Sequence, residues 1–447
     1  IHRYSYLRLQ LFIKKIEISM INKITKKNNT SEVNLVEKYF DTNPIALAVS
    51  GGPDSTAMMF LFSKSKKIQK KNVTVLIVDH DLRKDSRKEA NLVMRNAKKI
   101  GFKYKILKWR GLKPLSSIQE SARKARYDMM ISWCEKNNVK KLFLAHHLDD
   151  QVETFLMRLS KGSGIDGLSS MSKTSLKVNV NIIRPFLEIP KTKLVEIANS
   201  SNMKWVSDPS NSNLSYQRSR IRKLIPSLSR EGIDSHHINL VIKRMDSAKD
   251  ALNEIVNRNM IKYVKSMEGI AFSLSYEAFD KLSPEILLRI LERIIMVASG
   301  SIYPARRLKL EAILSWLRSD NRISAKTLSG TVLRKRKDYI IFYRELKSSQ
   351  ASASIRPLTN RYLSWDNRFH LKLNKSKDLE VKSLGNEGVK ILKSKKFLKK
   401  QGLKNIPLSA WKSAPSLWSK KRLISVPSLG YNIFDDLKIS IKSTRKP

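Results

Sequence analysis

The stretch Ile45-Ala46-Leu47-Ala48-Val49-Ser50-Gly51-Gly52-Pro53-Asp54-Ser55-Thr56-Ala57-Met58-Met59-Phe60-Leu61-Phe62 joins two apolar runs through a small polar turn. Residues 45–49 read as a buried strand and residues 55–62 as the start of a helix. Between them, Gly51 and Gly52 let the backbone approach an anion closely, and Ser50 and Ser55 add hydroxyl donors. The free amides and positive dipole end of the helix complete a phosphate cradle. Pro53 fits there because an amide in the first helical turn has no partner within the helix. Asp54 is the discordant member, since a carboxylate beside phosphates repels them unless it holds Mg²⁺. No Gly-Lys-Ser/Thr follows, so this is not a Walker A loop.

The same alternation continues outward. Strand-like runs at 73–78, 104–107 and 142–145 alternate with helical patterns at 87–100, 118–136 and 149–160. Such a pattern implies βαβ units, and so a Rossmann-like, doubly wound parallel α/β sheet that binds ligands beyond the carboxyl ends of its strands. Past Gly164, Pro185, Pro190, Pro209 and Pro226 break the chain into short pieces. Amphipathic helices are predicted at 238–264, 284–298 and 305–318, and a hairpin at 326–345. A Ser-rich linker at 348–354 precedes a Lys-rich end with short strand-like runs. The expected division is a basic, poorly ordered arm (1–30, with Met20 as an alternative start), an α/β domain (31–230), a mainly helical middle domain (231–347), and a small mixed α/β or β-rich C-terminal domain (355–447).

The 447 residues hold 87 Lys and Arg against 39 Asp and Glu, a net charge of +48. That excess points to a polyanionic partner, nucleic acid or an anionic membrane surface. With 41% hydrophobic and 8% aromatic residues, wholesale disorder is excluded. The lone Cys134 excludes an internal disulfide, a CxxC redox pair and an all-cysteine metal or iron–sulfur site, and it fits a reducing cytoplasm. No apolar run approaches the ~18–20 residues that span a bilayer. The stretch at 7–13 is interrupted by Arg8 and Gln10, so no signal peptide and no membrane association are expected.

A second cluster, His146-His147-Leu148-Asp149-Asp150-Gln151-Val152-Glu153-Thr154, runs from the end of a strand into a helix. His146 and Asp150, four apart, can meet at one ion or ligand. Capping by Asp149 and the helix dipole account for one or two acids here, but not for paired histidines. A zinc site lacks a third soft ligand. Arg123 and Arg126 share a helix face with Tyr127; taken alone, they read as a solvated face or as a pair to Glu120. Arg218, Arg220 and Arg222 alternate in a polar stretch, suited either to phosphate or RNA or to a solvated loop. Trp133 and Trp205 read as core residues.

The loop 50–55 resembles the SGGxDS loop of the N-type (PP-loop) ATP pyrophosphatases, which cleave ATP between its α and β phosphates. Residues 146–154 and the following RLSKGSGIDGLSSM at 158–171 closely resemble the tRNA(Ile)-lysidine synthetase family. Three more segments agree: VDHDLR at 78–83, with Asp81 in place of the usual glycine; SARKARY at 121–127; and WVSDPSN at 205–211 followed by RSRIR at 218–222. Ser219 and Lys223 stand where Asn and His are usual. The likeness is dense over 45–230 and thin beyond, where only residues 384–430, with Trp411, resemble a small tRNA-binding domain.

The resemblance implies a ligase acting on tRNA(Ile) with a CAU anticodon in the cytoplasm. ATP adenylates C2 of the wobble cytidine, and the ε-amine of free lysine then displaces AMP to form lysidine. It further implies that Ser50, Gly51, Gly52, Pro53, Asp54 and Ser55 hold the nucleotide, with Mg²⁺ at Asp54, and that Arg123 or Arg126 neutralises the α-phosphate. Asp150, with Glu153, would hold the lysine ammonium or accept its proton, and His146 would act as acid or base. Arg218, Arg220 and Arg222 would bind substrate, and the middle and C-terminal regions would grip the tRNA. A homodimer stays open. The rivals are weaker: a tRNA thiolase usually needs several cysteines, a small-molecule ligase has no need of this charge, and a pure RNA binder has no need of both motifs.

Overall fold

The computed structural model describes residues 31–79, 86–109, 118–177, 179–206, 213–319, 325–346, 354–375, 378–395, 397 and 405–444. The arm at 1–30, the 80–83 part of the VDHDLR stretch, residues 207–211, most of the Ser-rich linker and the Lys run at 398–404 lie outside the described residues. The chain divides into two units, Ile1–Lys249 and Asp250–Pro447.

In the first unit the alternation of the sequence becomes a six-stranded sheet in the order β3-β2-β1-β4-β6-β5. Its strands are β1 (Ile45–Ala48), β2 (Val73–Asp79), β3 (Lys103–Lys108), β4 (Lys141–Phe143), β5 (Thr174–Lys177) and β6 (Val180–Ile183). All neighbours are parallel except β5, which runs antiparallel on the β6 edge. The two-residue period of the strands feeds two cores. Ile45, Leu47, Val75 and Ile77 face α1 (Pro53–Lys64), where Phe62 meets Phe143 edge-on at 4.9 Å. Ala46, Leu76, Leu142 and Ile182 pack with Met130 and Cys134 on the other face. Apolar residues on both strand faces force burial on both sides, which is why this sheet is parallel and covered.

Helices α2 (Ser86–Ile100), α3 (Ile118–Lys136), α4 (Leu148–Leu159) and α5 (Lys191–Ser200) complete the layers that matter for the site. After them come α6 (Gln217–Arg230) and α7 (Ser235–Tyr263), the latter carrying the division between units. The strand order reverses between β1 and β4, and there the loops after both strands open side by side. A ligand crevice is expected at such a switch point.

The second unit holds more sheet than its sequence suggested. The hairpin predicted at 326–345 is part of a five-stranded antiparallel sheet, β7-β8-β11-β10-β9. Its strands are β7 (Val264–Met267), β8 (Ala271–Ser275), β9 (Ala325–Leu328), β10 (Thr331–Lys335) and β11 (Tyr339–Arg344). Two helices pack on it, α8 (Pro284–Ser299) and α9 (Arg307–Arg318). β7 was hidden because the helical period of α7 runs straight into it; the turn is made at Glu268 and Gly269, both at positive φ. From residue 354 on, β12 (Ser354–Ile355), β15 (Glu380–Ser383), β16 (Pro415–Ser419), β17 (Arg422–Val426) and β18 (Tyr431–Asn432) form a five-stranded sheet in that order, and β13 (Tyr362–Trp365), β14 (Phe369–Leu373) and β19 (Ile439–Ser443) a three-stranded one. Ile341 and Tyr343 share one apolar cluster with Trp365, Trp411 and Trp418, so the core is continuous across the linker. Among the described residues, no helix is long and apolar enough to cross a membrane.

Candidate active site

The loop after β1 keeps its shape through its own hydroxyls. Ser50 donates its amide to Ser55 Oγ at 3.2 Å, and Ser55 Oγ donates to the Gly52 carbonyl at 3.1 Å. Gly51 sits at φ +91, which a side chain rarely tolerates, and its carbonyl accepts the Val206 amide at 2.9 Å. Gly52 precedes α1 without a side-chain cap, so the first turn presents its amides outward. Asp54, in that turn, holds Oδ2 3.7 Å from His147 Nε2, while its buried Oδ1 has no partner.

After β4, His147 caps α4 and forms a capping box with Asp150. Three carboxylates crowd its ring: Asp54, Asp149 at 3.4 Å and Asp150 at 3.5 Å. Burial works against its charge, but the hydrogen bonds to Asp149 and Asp54 and the field of Asp150 outweigh it and raise its pKa to about 9. His147 is therefore an imidazolium at neutral pH. Protonated at Nδ1 it donates to Asp149, and only with that nitrogen unprotonated can it accept the Asp150 amide, so the ion pair and the cap are alternatives and the charged ring takes the first.

Its neighbour behaves oppositely. His146 is pushed well below the ordinary histidine value, first by burial and then by Arg184, Arg123, Arg218 and Arg126. Its Nδ1 is buried without a partner. A neutral ring here fits a base or a hydrogen-bonding group, and not an acid.

These elements meet in one cavity of about 390 Å³, lined among others by Ser50, Gly52, Asp54, Ser55, Arg123, Arg126, His146, Asp150 and Arg218. Arg126 is half-buried, and burial followed by the charge of Arg123 lowers its pKa. Among the described residues it has no carboxylate partner. Arg123 stacks over Tyr127 at 5.5 Å.

Two expectations for the acids and arginines need revising. Glu153 does not reach the cavity: its side chain is 1% exposed, with Arg218 Nε at 2.5 Å and Arg222 Nε at 2.7 Å. Arg222 is thereby committed within the fold, and Arg220 donates to the carbonyls of Leu214 and Ser215. Arg218 alone of the three lines the cavity, and it also meets Asp150 Oδ1 at 3.1 Å. Nothing in the sequence alone sets His147 apart from His146; its signal is a second histidine at the junction where a helix cap belongs.

Fold, loop and cavity together define a PP-loop protein that uses ATP, and residues 22–228 match the PP-loop domain family. More narrowly, the chain belongs to the tRNA(Ile)-lysidine synthase family. The relative of that name from Wolbachia pipientis wMel is 34% identical over 412 residues, spanning 88% of this chain and 90% of the relative. Those from Wolbachia sp. subsp. Brugia malayi (strain TRS) and Ruegeria pomeroyi are 38% and 31% identical, spanning 73% and 89% of this chain and 76% and 92% of theirs. A solved U34-tRNA thiolase from Methanococcus maripaludis is 18% identical over 51% of this chain and 80% of its own, with a TM-score of 0.44, too low to bear on function.

Proposed function

We propose that this chain converts the wobble cytidine of tRNA(Ile) with a CAU anticodon to lysidine, using ATP and free lysine. The observation that carries the reading is the shared cavity: its lining holds the phosphate loop, Arg123 and Arg126, which have no ion pair among the described residues, and the Asp150–Arg218 pair. ATP would adenylate the C2 oxygen of the cytidine with loss of pyrophosphate, and the lysine ε-amine would then displace AMP.

Each residue's part follows from charge. Ser50, Ser55 and the amides opening α1 hold phosphate oxygens. Arg126, with Arg123, meets the charge that develops on the α-phosphate; among the described residues it has no carboxylate partner to draw it away. The partnerless Oδ1 of Asp54 suits a divalent cation. Among the described residues, no group of three or more His, Cys, Asp or Glu could hold a metal ion, so Mg²⁺ at Asp54 would take its remaining ligands from phosphate and water. Such an ion would offset phosphate charge when bound. His147 holds the other oxygen of Asp54 and so aims the free one.

Free lysine carries both signs. The Asp150–Arg218 pair offers a carboxylate for an ammonium and a guanidinium for a carboxylate on one wall. His146, kept neutral, is placed to accept a proton. The test is incorporation of labelled lysine into a tRNA(Ile) CAU transcript with ATP and Mg²⁺, beside a transcript with uridine at the wobble position. Incorporation into the first only is expected. Pyrophosphate release without incorporation would keep the ATP chemistry and redirect the search to another nucleophile or RNA.

A further inference from the structure

The three-stranded sheet of the second unit has two unlike faces. Its strands are β13 (Tyr362–Trp365), β14 (Phe369–Leu373) and β19 (Ile439–Ser443). Trp365, Phe369, Leu371 and Leu373 point inward and are at most 5% exposed. The register pairs Tyr362 with Lys372, Ser364 with His370, His370 with Lys442 and Lys372 with Ser440. With a two-residue period these six form the opposite, outward face. Tyr362 is the one large apolar group on it, and it is 55% exposed.

The tyrosine has two lysines and a histidine around it. Lys372 Nζ lies 5.8 Å and Lys442 Nζ 6.0 Å from its ring centroid, and His370 meets it edge-on at 6.4 Å. Among the described residues, neither lysine has an ion pair. A single exposed ring among polar neighbours is too little apolar surface for a protein-docking core, which needs a cluster of anchors. A planar π surface flanked by two ammonium groups without a carboxylate partner among the described residues instead matches a planar base with phosphates on either side. The charge of the chain, +48, gives such a partner reason to be close.

We propose that this face is a stacking platform for an unpaired nucleotide of the tRNA, with the base on Tyr362 and the adjoining phosphates at Lys372 and Lys442. The proposal rests on the tRNA substrate proposed above and adds which face of the second unit holds an unpaired base.

The experiment uses the full chain and the tRNA(Ile) CAU transcript, measuring equilibrium binding across a salt series and lysine incorporation at saturating tRNA. The wild-type chain is measured first; if it neither retains the transcript nor incorporates lysine, the tRNA reading itself fails, and the platform with it. Given an active wild type, Tyr362→Ala should weaken binding about tenfold, within the range of one base–aromatic stack, with kcat unchanged. Tyr362→Phe should bind within about twofold of wild type. The double variant Lys372→Gln with Lys442→Gln should flatten the salt slope by about 1.5, the loss of two phosphate contacts. Wild-type affinity in Tyr362→Ala would overturn the platform and leave the face to another occupant such as a protein. Equal losses in Tyr362→Ala and Tyr362→Phe would overturn stacking as its basis.

Discussion

Two arginines, Arg126 in the first unit and Arg368 in the second, are treated in opposite ways. In the first, Arg126 stands half-buried beside Arg123 and near Arg218, and burial and like charge both disfavour it. In the second, Arg368 is more deeply buried, at 3% exposure, yet Asp366 meets it at 2.8 Å and the Ser413 carbonyl accepts its other end. Arg344 joins the same carboxylate at 3.1 Å. Burial pulls Arg368 down to about 10 but leaves it charged at neutral pH, because Asp366 opposes the fall. Even the backbone is fitted to this cluster: Gly300 ends α8 at φ +68, and a Cβ there would lie 2.3 Å from the Asp366 carbonyl oxygen. A charge that holds a fold together is neutralised inside the fold. A charge kept for a substrate is left waiting, and its cost is borne by the rest of the domain.

The sharpest way to break this comparison is at the carboxylate oxygen left without a partner. Asp54→Ala should lower adenylation, read as pyrophosphate release, by more than about 1,000-fold, since a cation-binding site contributes several kcal/mol to charge stabilisation. tRNA retention should stay near wild type. Activity close to wild type would remove Asp54 from any role with metal.

Arg126→Met comes next. It should cost about 100- to 1,000-fold in adenylation, the usual effect of removing one preorganised donor. Unfolding free energy should stay level or rise by less than about 1 kcal/mol, because an uncompensated cation is gone. A clear loss of stability would show that Arg126 is structural and would erase the contrast with Arg368.

The mirror experiment is Asp366→Ala, which strands Arg368. It should cost about 3 kcal/mol in denaturant unfolding of the second unit, with the ATP half-reaction intact. A cost below about 1 kcal/mol would mean that the pairing there is incidental.

The smallest effect concerns a surface pair. Glu188 is held down to about 2 by hydrogen bonds to Lys173 and Lys243, with burial opposing. A carboxylate depressed in the folded state adds stability above its unfolded value, near 4.5, and loses it as pH falls toward 2. Because these side chains are 38–56% exposed, wild type should exceed Glu188→Gln by under about 1 kcal/mol at pH 6, and the gap should shrink at pH 3. A gap that widens in acid would reverse the sign of the linkage.

Legibility from sequence followed the same division. The loop 50–55 and the strands beside it could be read because their signals are local: a β-branched run, two glycines, a proline at the first helical turn. The cluster 146–154 was visible for the same reason, yet the roles within it were not. Glu153 and Asp150 look equivalent on paper, three apart on one helix. Only the approach of α6, 65 residues later, buries the first between Arg218 and Arg222 and leaves the second at the cavity wall. Likewise nothing in the sequence shows that Arg126 has no carboxylate partner among the described residues, since that depends on which acids distant segments bring to it.

By itself, then, the sequence determined the parallel α/β sheet, the phosphate loop and the family, because each rests on residues near one another in the chain. Tertiary structure alone decided the opposite protonation of His146 and His147, which arginines were spent on the fold, and the outward aromatic of the last small sheet. Those depend on burial and on charges brought in from distant segments, and electrostatic energy in a low-dielectric interior is set by distance in space rather than along the chain.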